Sequence, residues 1–273
     1  MAPGLGSNQW FVDQVDATII KNLQPNIIHP SVTNKVPVPK GNVIQYNEIK
    51  GDGLTTYKVE DGTEGQNVVL EFNRKIVTLG ERQAVPRIWD NDVQDGQWDK
   101  VQQTLEEVGL AMARGINTDF IDTLVDNVPV ANQTAADDTW GSDAADPLKN
   151  LGDAQALIKG NNGQGNAILC NPTDYNNLRL DPNFMVATGR GDRTVTEGAI
   201  DKVYGADIFE STAITQGTAL MLNKSMAVNY YERSPFTTEL RKPSRLRATD
   251  IIAYSRYGFA VVRPNLTAWI SGI

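Results

Sequence analysis

Four groups of residues in this 273-residue chain carry side chains able to do chemistry, and their spacing sets what each can do. Cys170 and His29 are the only cysteine and the only histidine, so any thiolate–imidazole pair would have to be built from them. A nucleophilic thiolate needs such a base, or a cation, beside it. Cys170 ends the apolar run Ala167-Ile168-Leu169-Cys170, the setting of a buried core residue, and His29 lies far away in a proline-rich stretch. A single cysteine also excludes a disulfide within the chain. Asp90, Asp92, Asp95 and Asp99 suggest calcium. Counting Asp90 as the first position of a calcium loop puts Asp95 where glycine is needed and Val101 where the bidentate glutamate belongs, so the template fails. Four carboxylates at a helix start, favoured by its dipole, are the simpler reading. Asp137-Asp138 is a carboxylate pair in a loop, with nothing to desolvate it and raise a pKa. Arg190-Gly191-Asp192 matches a tripeptide read by some adhesion receptors, a match too short to be specific. No glycine loop of the GxGxxG or Walker type is present to cradle a nucleotide. These groups predict no catalytic residue, no cofactor and no metal.

Composition narrows the partners. Hydrophobic residues make up 40% and charged residues 21%, as in an ordinary globular protein with a core. The formal net charge of −8 argues against a dedicated nucleic-acid binder, because phosphate contact wants a basic face. No run reaches the ~18 apolar residues that cross a bilayer, so no membrane is expected. No basic segment followed by an apolar one opens the chain, which predicts synthesis inside the cell. The sequons at Asn132, Asn223 and Asn265 then read as chance matches.

The elements follow from periodicity. Residues 8–23 predict an amphipathic helix through Trp10, Phe11, Val15, Ile19 and Leu23, stopped by Pro25. Pro25, Pro30, Pro37 and Pro39 predict an irregular, extended stretch after it, and the whole segment looks built to pack on a neighbouring molecule. Val43–Leu79 predicts a long hairpin. Val68, Leu70 and Phe72 alternate with polar residues on its return strand, and glycine/aspartate clusters at Gly51–Gly53 and Asp61–Gly65 mark its tip. A ribbon of two strands is marginal alone, so it needs a partner. Asp92–Asn127 predicts one continuous helix, with Trp98, Val101, Leu105, Val108, Met112, Ile116, Phe120 and Leu124 along one stripe; Gly109 and Gly115 mark a bend or close packing. Residues 130–146 read as a connecting loop. Pro147–Ile158 predicts a helix, Ala167–Cys170 a buried strand, and Asn171-Pro172-Thr173-Asp174 the capped start of a helix to Leu180. Residues 236–246 and 249–262 predict closing strands. Arg241, Lys242, Arg245 and Arg247 make that end basic, which suits charge pairing between subunits.

Four segments in this order carry a resemblance: Ala167–Tyr175 with Asn171-Pro172, Gly198–Ser211 with Gly205 before a strand, Ala219–Val228 with Lys224 and Ala227, and Ile251–Asn265 with Tyr257-Gly258 and Arg263-Pro264. Together with the layout, they make the chain resemble HK97-fold major capsid proteins of tailed viruses, bacterial or archaeal. The resemblance implies an α+β HK97-type capsid fold: an N-terminal arm (1–42), an E-loop hairpin (43–80), a peripheral (P) domain with a spine helix (81–135), an axial (A) domain (136–232), and closing P-domain strands with the C-terminus (233–273).

It further implies a non-enzymatic subunit that self-assembles into hexamers and pentamers of an icosahedral shell around viral double-stranded DNA, held without sequence preference. An encapsulin-like cellular compartment shell is the alternative. The expected assembly residues are Lys50, Gly51, Asp52, Gly53, Lys58, Asp61, Gly62 and Glu64 at the E-loop tip, and Arg190, Asp192 and Arg193 in an A-domain loop. Arg241, Lys242, Arg245 and Arg247 are the expected intersubunit charges. Expected partners are copies of the chain, portal and scaffolding proteins, and a decoration protein. The expected location is the virion capsid, with assembly in the host cytoplasm. Some members crosslink an E-loop lysine to an asparagine, but the residues around Lys50, Lys58 and Asn265 do not match that pattern. Removal of residues 1–40 is expected to leave a soluble lobe that makes no proper shell.

Overall fold

A computed structural model describes residues 9–38, 40–49, 58–59, 67–96, 98–142, 144–181 and 202–273. Two sheets carry the chain. The first is five-stranded. β1 (Asn34–Pro37) lies parallel to β11 (Val228–Arg241), which pairs antiparallel with β12 (Ala248–Val261). β12 is edged in turn by β4 (Gly80–Ala84) and, further along, by β5 (Arg87–Trp89). The second has the order β6 (Gln133–Ala135), β13 (Thr267–Ser271), β10 (Thr218–Leu222), β7 (Ala167–Cys170), β9 (Ala206–Glu210) and β8 (Lys202–Val203). A separate ribbon pairs β2 (Val43–Ile49) with β3 (Phe72–Thr78). The helices are α1 (Gln9–Leu23), the single turn α2 (His29–Val32), α3 (Asp90–Gln94), α4 (Trp98–Asn127), α5 (Pro147–Gly160) and α6 (Pro172–Leu180).

The stripe predicted on α4 is the centre of the core. Val101, Leu105, Val108, Met112, Ile116, Phe120 and Leu124 are all buried, and α4 packs on β12, β4 and α1. Its 30 residues span about 45 Å. The helix does not run unbroken from Asp92. The chain turns at Asp95-Gly96, where Gly96 sits at φ +73°, so α3 and α4 are separate. Asp90 and Asp92 fall in the first turn of α3 and Asp99 in that of α4, while Asp95 lies in the turn between them, and Asp92 is bridged by Lys100 at 2.7 Å.

The N-terminal segment departs most from expectation. Val15, Ile19 and Leu23 of α1 are buried against α4 of the same chain. Gly109 explains the close approach: a Cβ there would lie 2.7 Å from the Ile19 carbonyl oxygen. The proline-rich stretch is not irregular either. It makes the turn α2 and then β1, whose parallel pairing with β11 starts at Asn34↔Asn229. Prolines 30 and 37 sit where no ladder or helix N–H is lost, one early in α2 and one ending an edge strand. The segment therefore completes its own subunit's core, and deleting residues 1–40 would uncover that core instead of leaving an intact lobe.

Other boundaries shift. β3 begins at Phe72, so the alternation at Val68 and Leu70 does not form ladder. The 130–146 connection contains β6, which pairs parallel with β13. β11 starts at Val228, eight residues before the predicted 236, and ends at Arg241. The predicted helix at Pro147, the strand Ala167–Cys170 and the cap at Asn171 are as expected. At the β8–β9 turn Tyr204 and Gly205 have φ of +50° and +82°, the left-handed pair that a two-residue hairpin turn requires.

His29 is buried in α2, with its ring 4.2 Å from that of Tyr230 and 5.3 Å from that of Phe259. Burial, and secondarily Lys35, lower its pKa to about 4. A neutral folded imidazole against an unfolded one titrating normally means that the His29 contribution to stability falls as pH drops from about 6.5 to about 4, and that contribution is level below that. Urea melts between pH 7 and pH 4 should show this slope, and His29→Phe should flatten it. Gly109→Ala should lower stability by about 1–3 kcal/mol through the α1–α4 contact, read as a drop in the thermal midpoint.

Candidate assembly surfaces

The hairpin has two unlike faces. On its inner face Ile44, Tyr46 and Val77 pack on Leu79, Tyr231 and Ala260, and Lys75 bridges the buried Glu48 at 2.5 Å. Cross-strand pairing puts Val43, Phe72 and Ile76 on the other face, where they are 53%, 52% and 62% exposed. Val68 and Val69 beyond it are exposed as well. Scattered exposed apolar residues need no explanation, but a ribbon presenting several together marks an interaction surface. Of the predicted tip residues, Lys58 is described and exposed. Lys50, Gly51, Asp52, Gly53, Asp61, Gly62 and Glu64 lie outside the described residues, as do Arg190, Asp192 and Arg193.

The four predicted charges come together. Arg241, Lys242, Arg245 and Arg247 are all exposed at the turn between β11 and β12. The turn is anchored: Asp90 N–H donates to the Arg247 carbonyl at 3.0 Å, and Arg87 grips Asp250 through two bonds of 2.6 and 3.0 Å. That guanidinium holds the Asp250 carboxyl below the ordinary carboxylate range. Trp89 and Leu246 flank the turn and are also exposed.

A polar node that periodicity does not announce ties three elements together. Asp119 on α4 accepts from Arg82 of β4 at 3.0 and 2.5 Å and from the Tyr257 hydroxyl of β12 at 2.6 Å. Gly115 makes room, because a Cβ there would collide with the Arg82 guanidinium. Burial, then Asp119, push the Tyr257 hydroxyl pKa up, so it stays a donor. The adjacent Gly258 has its own cause: a Cβ would lie 2.8 Å from Val77 Cγ1 and 3.1 Å from Leu79 Cδ2, where the hairpin root crosses β12. Tyr257-Gly258 is thus a packing motif.

The other quoted motifs are also structural. The Asn171 side chain accepts from Thr173 N–H at 3.0 Å and donates to the Ile214 carbonyl at 2.8 Å, joining α6 to the loop after β9. Lys224 pairs with Asp207 and lies 4.9 Å over the Phe209 ring. Asn132 and Asn223 of the sequons are buried, with side-chain amides donating to backbone carbonyls.

Among the described residues, Cys170, Asp137 and Asp138 each have a local environment that fixes their state. Burial, then Glu210 and Asp174, push the Cys170 thiol up to about 12. Asp137 is paired with Lys149. Asp138 accepts from Thr139 N–H and from the Ser142 hydroxyl, which hold its carboxyl below the usual range. No three His, Cys, Asp or Glu among the described residues are placed to share a metal ion. Asp119→Ala should leave both Arg82 and the Tyr257 hydroxyl unpaired and cost about 1–3 kcal/mol, whereas Tyr257→Phe should cost about 1 kcal/mol. Chemical denaturation of the two variants checks the order.

Comparison with known proteins gives this arrangement a family. The phage capsid protein family model matches residues 82–270, well over half the chain. The major capsid protein of Staphylococcus phage phiMR11 is 24% identical over 203 residues, covering 73% of this chain and 69% of that relative. The capsid structure of Cyanophage P-SCSP1u superposes with a TM-score of 0.68 at 15% identity, over 90% of this chain and 88% of that one. The virus-like particle from Pyrococcus furiosus gives 0.71 at 11% identity, over 97% and 100%. The architecture is the α+β HK97-type capsid fold, and by the extent of the family match the chain belongs to the phage capsid proteins.

Proposed function

We propose that this chain is the major capsid protein of a tailed phage, whose copies form hexamers and pentamers and close an icosahedral shell around double-stranded DNA. The observation that carries the reading is the family match across residues 82–270, which takes in α4, the six-stranded sheet to within its last residue, and most of the five-stranded sheet, β1 excepted. On this reading the five-stranded sheet with α4 is the peripheral domain and the six-stranded sheet the axial domain. β6 and β13 are contributed to the axial sheet by chain on either side of residues 136–232. The hairpin lies over a neighbouring subunit and buries Val43, Phe72 and Ile76 there. The subunit works by assembly and not by catalysis, in keeping with a protonated Cys170 and engaged Asp137 and Asp138. The net charge of −8 suits a shell that encloses nucleic acid without adhering to it. Portal, scaffolding and decoration proteins are its further partners, and assembly takes place in the host cytoplasm.

The likeness to a virus-like particle of a cellular organism keeps a second reading, a compartment shell enclosing protein. Light scattering on the size-exclusion eluate, followed by electron microscopy, tests both. Five- or six-subunit capsomers or closed shells are expected, with nucleic acid in particles taken from infected cells. Shells filled with protein would favour the compartment. A stable monomer at high concentration, with scaffold supplied, would overturn both readings. Ile76→Asp should abolish shells while leaving subunit melting unchanged, because the side chain it replaces is 62% exposed in the lone subunit.

A further inference from the structure

Two charged features of the described surface lie toward opposite ends of one strand. At one end of β12 the turn to β11 projects Arg241, Lys242, Arg245 and Arg247. At the other, Tyr257, Gly258 and Phe259 form the wall of a groove of about 660 Å³ between β4 and the C-terminal half of α4. Ten residues of extended strand separate Arg247 from Tyr257, about 30 Å. The turn therefore cannot reach the groove of its own subunit.

The groove is acidic. Glu81, Asp119, Asp122 and Asp126 line it against one cation, Arg82, which Asp119 already holds. Asp122 and Asp126 are one helical turn apart on α4, so their like charges oppose each other. Among the described residues neither is bridged, and neither are Lys242 and Arg245. In the isolated subunit Arg82 balances part of the groove and Asp250, opposite Arg241, part of the turn, and each feature keeps an excess of one sign. One is convex and cationic, the other concave and anionic.

We propose that the β11–β12 turn of one copy docks in the carboxylate groove of a second copy. This deepens the capsid reading and rests on it. Because donor and acceptor surfaces differ, the contact is head-to-tail, and repeated with a closing rotation it generates rings. A phosphate polymer is the competing occupant of the turn. It fits less well, because Trp89 and Leu246 flank the turn with exposed apolar surface that a protein interface covers.

Charge reversal in the full-length protein tests the pairing. Asp122→Lys with Asp126→Lys, and separately Lys242→Glu with Arg245→Glu, should each raise the concentration needed for assembly by about tenfold or more. The chain carrying all four substitutions should assemble as the unaltered protein does. Subunit melting should be unchanged in all three. If reversal lowers it, the neutral set Asp122→Asn with Asp126→Asn and Lys242→Gln with Arg245→Gln replaces it, expected to weaken assembly in each pair and to make it insensitive to added salt. Normal assembly by either two-site variant overturns the proposal, and so does failure of the four-site chain to recover. Normal shells lacking nucleic acid from Lys242→Glu with Arg245→Glu would assign the turn to phosphate instead. Failure of the unaltered protein to assemble at all would count against the capsid reading itself, a separate result.

Discussion

The structure depends on covering one long apolar stripe. A helix of 30 residues, about 45 Å long, presents Val101 through Leu124 along one side, and the sheet strands packed against it leave part of that stripe for another element to cover. The chain meets this constraint with two layers. β12 and β4 take part of the stripe, and α1 takes the rest, so the N-terminal helix is part of the core. Packing this close demands missing side chains. Gly109 admits the α1 backbone, and Gly115 admits the Arg82 side chain that reaches Asp119. Each glycine costs helix propensity of about 1 kcal/mol, offset by the contacts it permits.

Once the stripe is covered, what is left exposed becomes informative. The hairpin uses its inner face to seat on Leu79, Tyr231 and Ala260, and leaves Val43, Phe72 and Ile76 in solvent. The β11–β12 turn is held firmly at its base by Arg87–Asp250 and the Asp90–Arg247 backbone bond, while Lys242 and Arg245 at its tip are exposed. An anchored base with an exposed tip keeps a surface in place for a partner without ordering cost at association. A single subunit is in this sense complete in its core and incomplete on its surface, as expected of a protein whose working state is an assembly.

The short motifs that carry the family resemblance turn out to be joints. Asn171 caps α6 and also ties the Ile214 carbonyl. Tyr257 donates to Asp119, and Gly258 clears the hairpin root. Tyr204-Gly205 turns β8 into β9. Their side chains lie between elements or at backbone conformations that few residues adopt, so they constrain geometry and do no chemistry.

Much of the architecture was legible in the sequence. The α4 stripe, the α5 and α6 starts and the buried strand at Ala167 all depend on local periodicity or capping, which involve residues within one or two turns of each other. The basic run from Arg241 to Arg247 reads as the end of a strand but forms a turn. Pairing between distant segments was not legible. β6 with β13, β1 with β11, α1 on α4, and the Arg82–Asp119–Tyr257 node join residues far apart in sequence, and each is decided by which surfaces meet once the core closes. The proline-rich stretch shows the reason most plainly. Its local preferences forbid a long helix but permit a strand at a sheet edge, and only the free edge of β11 determined that a strand is what it became.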